Sequence, residues 1–266
     1  MPKNFSGKLR QNWGVLRTIA LNTYRETIRD KVLYSLIAFA ILSIVASLLA
    51  GSVSLGQDTR VIEDFSLTAI LVFLLIITIF IGTQLVYREV ERKTIYLVLS
   101  KPVNRDIFYL GKFLGLVLTI TISTLIMGAI FAMALFARTK TISIPAIWAI
   151  GLIVLEAWLL TAVGLLTSAF TSPLPSAVYT LCLFLIGHSS TTIWTIAQNS
   201  QTVFVRYPLE FVYYVLPNLE KFNLRNEVVF GFSPDPAQIT AVVLYFVGYT
   251  LVLLLLGMAI FRRHEF

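Results

Sequence analysis

Residues 145–170 read PAIWAIGLIVLEAWLLTAVGLLTSAF, a run in which Glu156 is the only charged residue. The hydrocarbon core of a bilayer is about 30 Å thick, and an α-helix needs about 20 apolar residues to cross it. Backbone polar groups in lipid must be bonded within the spanning segment, so a continuous run of this length predicts a transmembrane α-helix rather than a barrel strand.

Five further runs of this kind flank the first one. Hydrophobic residues make up 57% of the 266-residue chain and charged residues only 13%, whereas a soluble domain carries roughly 25% charged residues. The predicted fold class is therefore an all-α integral membrane protein with six transmembrane helices. The six predicted spans are residues 33–53, 65–86, 108–136, 145–170, 174–194 and 237–261.

Lys and Arg are distributed unevenly between the two sides of these spans. Fifteen lie in the N-terminal segment, the 87–112 loop and the C-terminal tail, and six lie in the loops of the opposite side. The positive-inside rule then predicts a multi-pass protein of the inner or plasma membrane with both termini cytoplasmic. The basic residues flank spans rather than forming one patch, so no nucleic-acid partner is expected.

The segment before the first span is predicted to be an amphipathic helix, over residues 12–30. Trp13 and Tyr24 fall on its apolar arc, and Arg25 and Arg29 fall on the opposite side. Such a helix is expected to lie in the plane of the membrane interface. The alternative is a soluble extension. On this prediction, residues 1–32 form the N-terminus and interfacial helix, and 33–266 form the membrane domain.

Three connections between the spans are informative. Residues 54–64 are expected to form a short loop, and the uncharged turn at 171–175 is expected to join antiparallel neighbours. Residues 195–236 are predicted to be an external helical segment. Its first part, VFVRYPLEFVYYVLP, is expected to be interfacial or packed on the bundle, and a short helix is predicted from about 217 to 231.

Two residues inside predicted spans could carry chemistry. Glu156 is the only acidic residue placed deep in a span, and a charge there costs about 2.5–3.5 kcal/mol on insertion scales. It could contact substrate, carry a proton or simply hold two helices together. His188 is predicted to lie near the outer end of its span as an interfacial hydrogen-bonding residue. No second His lies near it in sequence, so no metal site is expected.

Several classes of protein are disfavoured by what the sequence lacks. It contains no G-x-S-x-G, H-E-x-x-H or C-x-x-C string, and Cys182 is its only cysteine, which excludes an intrachain disulfide. It also contains no G-x-x-x-x-G-K-[ST] string, so the chain is not expected to bind ATP through a P-loop of its own. The first apolar run is too long for a signal peptide and is expected to remain in the protein.

The loop YREVERKTIYLVLSKPVNRDIFYLGK, residues 87–112, is densely charged and patterned like an amphipathic helix. Acidic and basic residues alternate over 88–93, an apolar stretch follows over 95–99, and Pro102 ends the predicted helix. The positive-inside rule explains the basic residues but not the interleaved acidic ones. A mixed-charge helix close to the bilayer is suited to docking a soluble partner.

The string E-x-E-R-K-T-I-Y-L-x-L-S-K-P-x-x-R-x-x-x-x-x-G-K in this loop resembles the signature of ABC-2-type transporter permeases. It is most similar to the group associated with multicopper enzyme maturation. NTYRETIRDKVLY resembles the N-terminal elbow helix of that family, LTSAFTSPLPSA resembles its fourth-to-fifth span turn, and YVLPNLEKFNL resembles its external helix. The resemblance covers nearly the whole chain.

The resemblance implies a permease similar to type V ABC exporters, with six spans and an elbow helix but no ATPase domain. A second permease subunit, identical or different, would pair with it, and P-loop ABC ATPase subunits holding ATP and Mg would dock on a coupling helix at 87–103. The implied coupling residues are Glu89, Glu91, Arg92, Lys93, Thr94 and Arg105. Lys93 stands where many relatives have Gly, so the helix is expected to be continuous.

Other functions remain open on the residues alone. A secondary transporter could use Glu156 as its proton or ion site, although no inverted repeat is visible. A mechanical membrane subunit could pass ATPase motion to an external partner without moving solute, and the length of 195–236 is compatible with that role. No nucleophile, metal set or carboxylate pair supports a membrane enzyme.

Overall fold

The computed structural model describes residues 5–53, 58–84, 104–140, 144–224 and 234–263. Nearly all of these residues are helical. The helices are α1 (Phe5–Ile28), α2 (Lys31–Val53), α3 (Asp58–Ile77), α4 (Arg105–Thr139), α5 (Ile144–Ser168), α6 (Pro173–His188), α7 (Ser190–Asn199), α8 (Val203–Val215) and α9 (Pro236–Arg263), with a π-helix at Thr78–Gly82 and a 3-10 helix at Leu219–Phe222.

Five helices in the described residues are long and apolar enough to cross a bilayer, namely α2, α3 with its π-helical end, α4, α5 and α9. A sixth span results if α6 and α7, which meet at a bend of 60°, are counted together. The chain is therefore a multi-pass helical membrane protein.

Helix α5 lies at the centre of the bundle. Its apolar window is 67% buried within the protein, against 22% for α2 and for α9. Leu159, Ala162 and Leu165 are completely buried on α5. A helix that is apolar all round and covered by neighbours is a core helix, while α2 and α9 leave apolar faces for lipid or another subunit.

Helix α3 begins earlier than the sequence suggests. A loop is expected over 54–64, but the helix already starts at Asp58. Its early turns pack on α2: Ile62 is completely buried, and the Ser66 and Ser47 hydroxyls are hydrogen-bonded at 3.0 Å. Packing between helices therefore extends α3 beyond its apolar run.

The predicted span over 174–194 is bent, because the helix breaks at Ser189 between α6 and α7. Gly187 lies directly before the break, and a Cβ atom there would approach Leu219 Cγ to 2.6 Å and the Pro217 carbonyl oxygen to 2.8 Å. Glycine lets the 3-10 segment reach the helix at this point, and Gly/Ser pairs are a common cause of helix kinks.

Only the first part of the predicted helix at 217–231 lies within the described residues. That part is a single 3-10 turn flanked by extended chain, with Leu219, Phe222 and Leu224 buried. The described residues do not include 225–233 or the predicted coupling helix at 87–103. Of the predicted coupling residues, only Arg105, which follows that helix, is described.

Candidate functional site

The amino-terminal end of α4 directly follows the predicted coupling segment. Helix α1 packs closely against this end of α4. Gly111 and Gly115 provide the contact surface. A Cβ atom on Gly115 would lie 2.5 Å from Thr23 Cβ and 2.7 Å from the Ala20 carbonyl oxygen, and one on Gly111 would lie 2.7 Å from Ile19 Cγ2. Small residues four apart allow two helix backbones to approach in lipid, which is the role of this glycine pair.

A buried cation reinforces the α1–α4 contact. The Lys112 side chain is only 2% exposed, and its Nζ lies 3.8 Å from Glu26 Oε2 of α1. The same Nζ lies 5.6 Å from the centre of the Phe108 ring. A buried ammonium group requires a partner of this kind, since an isolated buried charge is very unfavourable.

Helix α9 contacts the same end of α4 from another side. The Arg262 guanidinium donates to both carboxylate oxygens of Asp106, with Nε 2.7 Å from Oδ1. Arg105 Nη1 donates to the Arg262 carbonyl oxygen at 3.1 Å. A bidentate guanidinium–carboxylate pair fixes relative orientation as well as distance.

Aromatic packing continues this contact one turn further along. The Phe108 and Phe261 rings stack with centroids 6.0 Å apart, and Tyr109 is buried against Phe261 at 5.9 Å. Gly257 of α9 faces Tyr109, and any side chain at 257 would overlap the phenol. We call Asp106, Tyr109, Gly111, Lys112 and Gly115, with their partners on α1 and α9, the α4 clamp.

The structure places only some of the predicted coupling and elbow residues. Arg105 begins α4 and belongs to the clamp region, whereas Glu89, Glu91, Arg92, Lys93 and Thr94 lie outside the described residues. On α1, Trp13 is 68% exposed, Arg25 is exposed and Tyr24 is half-buried, and Arg29 directly after the helix is exposed. These exposures are compatible with an interfacial helix.

The other flank of the coupling segment is a π-helix, Thr78–Gly82, at the end of α3. A small cavity lies beside it, lined by Thr78, Thr119 and Thr161 together with apolar side chains. Thr78 is 1% exposed, and its Oγ1 has no hydrogen-bond partner among the described residues. A π-turn holds one residue more than an α-turn and often marks a functional position.

A second polar site lies inside the bundle, where Glu156 of α5 meets His188 of α6. His188 Nε2 is 3.6 Å from Glu156 Oε1, and the Glu156 side chain is 1% exposed. The Phe184 ring covers the imidazole at a centroid distance of 4.5 Å. The two intramembrane residues that the sequence treats separately therefore form one pair.

The Glu156–His188 pair borders a small cavity that is also lined by the segment after the 3-10 turn. Asn223 and Leu224 line this cavity together with Leu71 of α3. A carboxylic acid next to an imidazole can share one proton with it, either as an ion pair or as two neutral groups. The pair also ties α5 to α6 next to the break at Ser189.

Comparison with known proteins identifies the class of this membrane protein. The sequence profile of the ABC-2 family transporter protein matches residues 17–266. The chain belongs to the ABC-2 transporter family. A search of curated protein sequences finds no match. The match covers α1 from Arg17 onward and every later helix, so the α4 clamp and the Glu156–His188 pair both lie inside the ABC-2 region.

Sequence reasoning on this ABC-2 chain overlooked the α4 clamp. The spacing Gly111-x-x-x-Gly115 at the start of a span is a visible signal for close helix packing. The pairing of Asp106 with Arg262 has no comparable local signal, because the two residues are 156 positions apart. The sequence predicts Lys112 to be a positive-inside charge at the end of the signature string, and neither expectation indicates that its side chain is buried.

Proposed function

We propose that this chain is the permease subunit of an ATP-driven ABC exporter, of the group associated with multicopper enzyme maturation. A separate P-loop ATPase, holding ATP and Mg, would dock on the coupling segment at 87–103. A second permease subunit would complete the pathway. The observation that carries this proposal is the family match over residues 17–266, which includes the segment with the mixed-charge motif.

The arrangement around the coupling segment supports transmission of motion. Downstream, the segment enters α4 at a point where α1 and α9 both hold it through Gly115 and Asp106. Upstream, it follows a π-helix beside a cavity. Motion applied to 87–103 would move α1, α4 and α9 together at the downstream end of the segment. At its upstream end, the π-helical turn would deform to accommodate that motion. We further propose six spans, an α1 elbow at the membrane interface, and cytoplasmic termini in the inner or plasma membrane.

The test is the double charge reversal Glu89→Arg with Glu91→Arg. The tagged chain is purified from its native membrane, the co-purifying P-loop ATPase is quantified by mass spectrometry, and ATP hydrolysis is measured. We expect the parent chain to bring down the ATPase and its activity, and the variant to lose both, because two attractive contacts become repulsive.

A matched control reverses two acidic residues at the start of α3, Asp58→Arg with Asp64→Arg. This variant carries the same change in net charge and should retain the ATPase. If the coupling-segment variant still binds and activates the ATPase as the parent does, the docking site is not at 87–103. If the purified parent chain hydrolyses ATP without any second protein, the permease assignment is wrong.

A secondary transporter is the second candidate, and the Glu156–His188 pair is the observation that favours it. An intramembrane carboxylate paired with an imidazole is a common form of proton site. The two candidates differ in energy source. In sealed vesicles, an exporter requires ATP and its ATPase, whereas a secondary transporter works on a proton gradient alone.

A further inference from the structure

The π-helical end of α3 packs against α4 and α5, and the small cavity beside it lies where the three segments meet. Each segment contributes one threonine to the lining: Thr78 from the π-helix, Thr119 from α4 and Thr161 from α5. All three side chains are buried, with at most 2% of their surface exposed. The cavity is therefore an interior feature of the bundle, and three of its lining residues carry hydroxyl groups.

The Thr78 hydroxyl differs from the other two. Thr119 Oγ1 donates to the Gly115 carbonyl oxygen at 3.0 Å, and Thr161 Oγ1 donates to the Ala157 carbonyl oxygen at 2.7 Å. Thr78 Oγ1 is equally buried, and no described residue is hydrogen-bonded to it. A buried hydroxyl without a partner is unfavourable, and lipid chains offer it no hydrogen bond. Thr78 therefore requires a partner from outside the described part of the chain.

The other two threonines can each accept a further hydrogen bond. A hydroxyl has one donor and two acceptor positions, and the bonds to their own helices use only the donors of Thr119 and Thr161. A molecule in the cavity can thus accept from Thr78 and donate to the other two oxygens. Three hydrogen bonds are typical of a buried water molecule.

The size and the charge of the cavity select its ligand. The space open to the centre of a water molecule is about 10 Å³, which is close to the minimum that one water requires. This space is too small for an organic solute. The residues that line it are threonine, isoleucine, leucine and glycine, so none of them carries a charge that could balance a metal ion.

We propose that this cavity binds one ordered water molecule, to which Thr78 donates and which donates to the Thr119 and Thr161 oxygens. The water would fasten the π-helical turn to both neighbouring helices. It would also satisfy the only polar side chain of that turn, since the remaining residues of Thr78–Gly82 are apolar. This site does not depend on which solute the protein transports or on its energy source.

The experiment replaces threonine with valine, which has the same shape but lacks the hydroxyl. The full chain is unfolded in micelles with a denaturing detergent. The equilibrium constant for unfolding is measured for Thr78→Val, Thr161→Val and the double variant. Thr124→Val is the matched control, because Thr124 is 1% exposed and its Oγ1 donates to the Ile120 carbonyl oxygen at 2.8 Å, but it does not line the cavity.

We expect Thr78→Val to raise the unfolding constant roughly 2- to 12-fold, which corresponds to the loss of one hydrogen bond. Combined with Thr161→Val, the increase should be smaller than the product of the two single increases, because either substitution already disrupts the shared water. Combined with Thr124→Val, the increases should multiply.

Two results of these measurements would overturn the proposal. If Thr78→Val leaves the unfolding constant unchanged or lowers it, the hydroxyl is an unpaired group beside a dry cavity. If the effects of Thr78→Val and Thr161→Val multiply, the two residues share no water.

A density map of the parent chain, at a resolution that shows ordered water, gives a readout that does not depend on the variants. We expect a water-sized peak between Thr78, Thr119 and Thr161. A map without this peak, or one in which Thr78 bonds directly to the backbone, would contradict the proposal even if a valine variant failed to fold.

Discussion

Glu156 is a residue whose position in the membrane is unfavourable by itself and is stabilised by a neighbour. A carboxylate at the centre of a span costs about 2.5–3.5 kcal/mol on insertion scales. His188 offsets this cost from a neighbouring helix, with Nε2 3.6 Å from the carboxylate. The interaction joins α5, the most buried helix, to the end of α6 at the break. The pair is therefore placed to hold the broken helix against the core.

The coupling between these two residues can be measured by a double-mutant cycle. Glu156→Gln, His188→Gln and the double variant are unfolded in a denaturing detergent, and the free energies of unfolding are compared. Because the two side chains are in contact and Glu156 is buried, we expect a coupling energy of about 0.5–3 kcal/mol. The loss in free energy of unfolding for the double variant should therefore be smaller than the sum of the losses for the two single variants.

The control cycle pairs Glu156→Gln with Ser66→Ala, a buried residue whose hydroxyl bonds Ser47 on α2. Residues that share no partner should give additive changes, within about 0.5 kcal/mol. Additivity in the Glu156–His188 cycle as well would show that the 3.6 Å contact contributes nothing to stability.

At the scale of elements, the docking of α1 on α4 depends on the absence of a single methyl group. Gly115→Ala would place Cβ 2.7 Å from the Ala20 backbone oxygen, which has no freedom to rotate away. We expect this overpacking to cost about 1–3 kcal/mol and to loosen α1. Faster tryptic cleavage after Arg17 and Arg25, together with a lower thermal midpoint, is the expected readout.

Gly128→Ala in the same helix is the matched control. The added Cβ would lie 3.5 Å from Ile150 Cδ1, an ordinary contact. Alanine is favoured over glycine in helices by about 1 kcal/mol, so this variant should be neutral or slightly stabilised. Equal trypsin sensitivity of the two variants would show that α1 is not held through Gly115.

Helices determined by apolar length can be predicted from the sequence, whereas bounds and breaks determined by contacts with neighbouring segments cannot. Apolar length predicts α5 almost completely, because membrane partition alone determines it. The bounds of α3 and the break at Ser189 were missed, because they depend on the neighbouring Ser47 and on Leu219 packed against Gly187. The π-helix at Thr78–Gly82 could not be predicted from hydropathy, because its residues are as apolar as those of the α-helix before it and differ only in backbone geometry.

On the scale of the whole molecule, family membership was predictable and the arrangement was not. Sequence strings and six apolar runs indicated the family that the match over 17–266 confirms. The α4 clamp joins residues between 86 and 156 positions apart, and pairing in lipid depends on such contacts rather than on hydropathy. The coupling residues from Glu89 to Thr94 remain a prediction.

If the permease works with an ATPase, the α4 clamp should stay closed throughout the cycle. Asp106→Cys with Arg262→Cys, in a Cys182→Ser background, can be joined by a short bismaleimide. We expect the cross-linked complex to hydrolyse ATP at the rate of the same variant without cross-linker, because α4 and α9 move as one body. A loss of hydrolysis on cross-linking alone would mean that these two helix ends must separate.

The α4 clamp also has a consequence for the order of biosynthesis. At about 5–20 residues per second, the ribosome completes α9 several seconds after α4 has entered the membrane. During that delay Asp106 and Tyr109 have no Arg262 or Gly257 to receive them. The groove on α4 is open to any helix inserted nearby. Its closure by α9 is therefore a late event that distinguishes a finished bundle from an unfinished one.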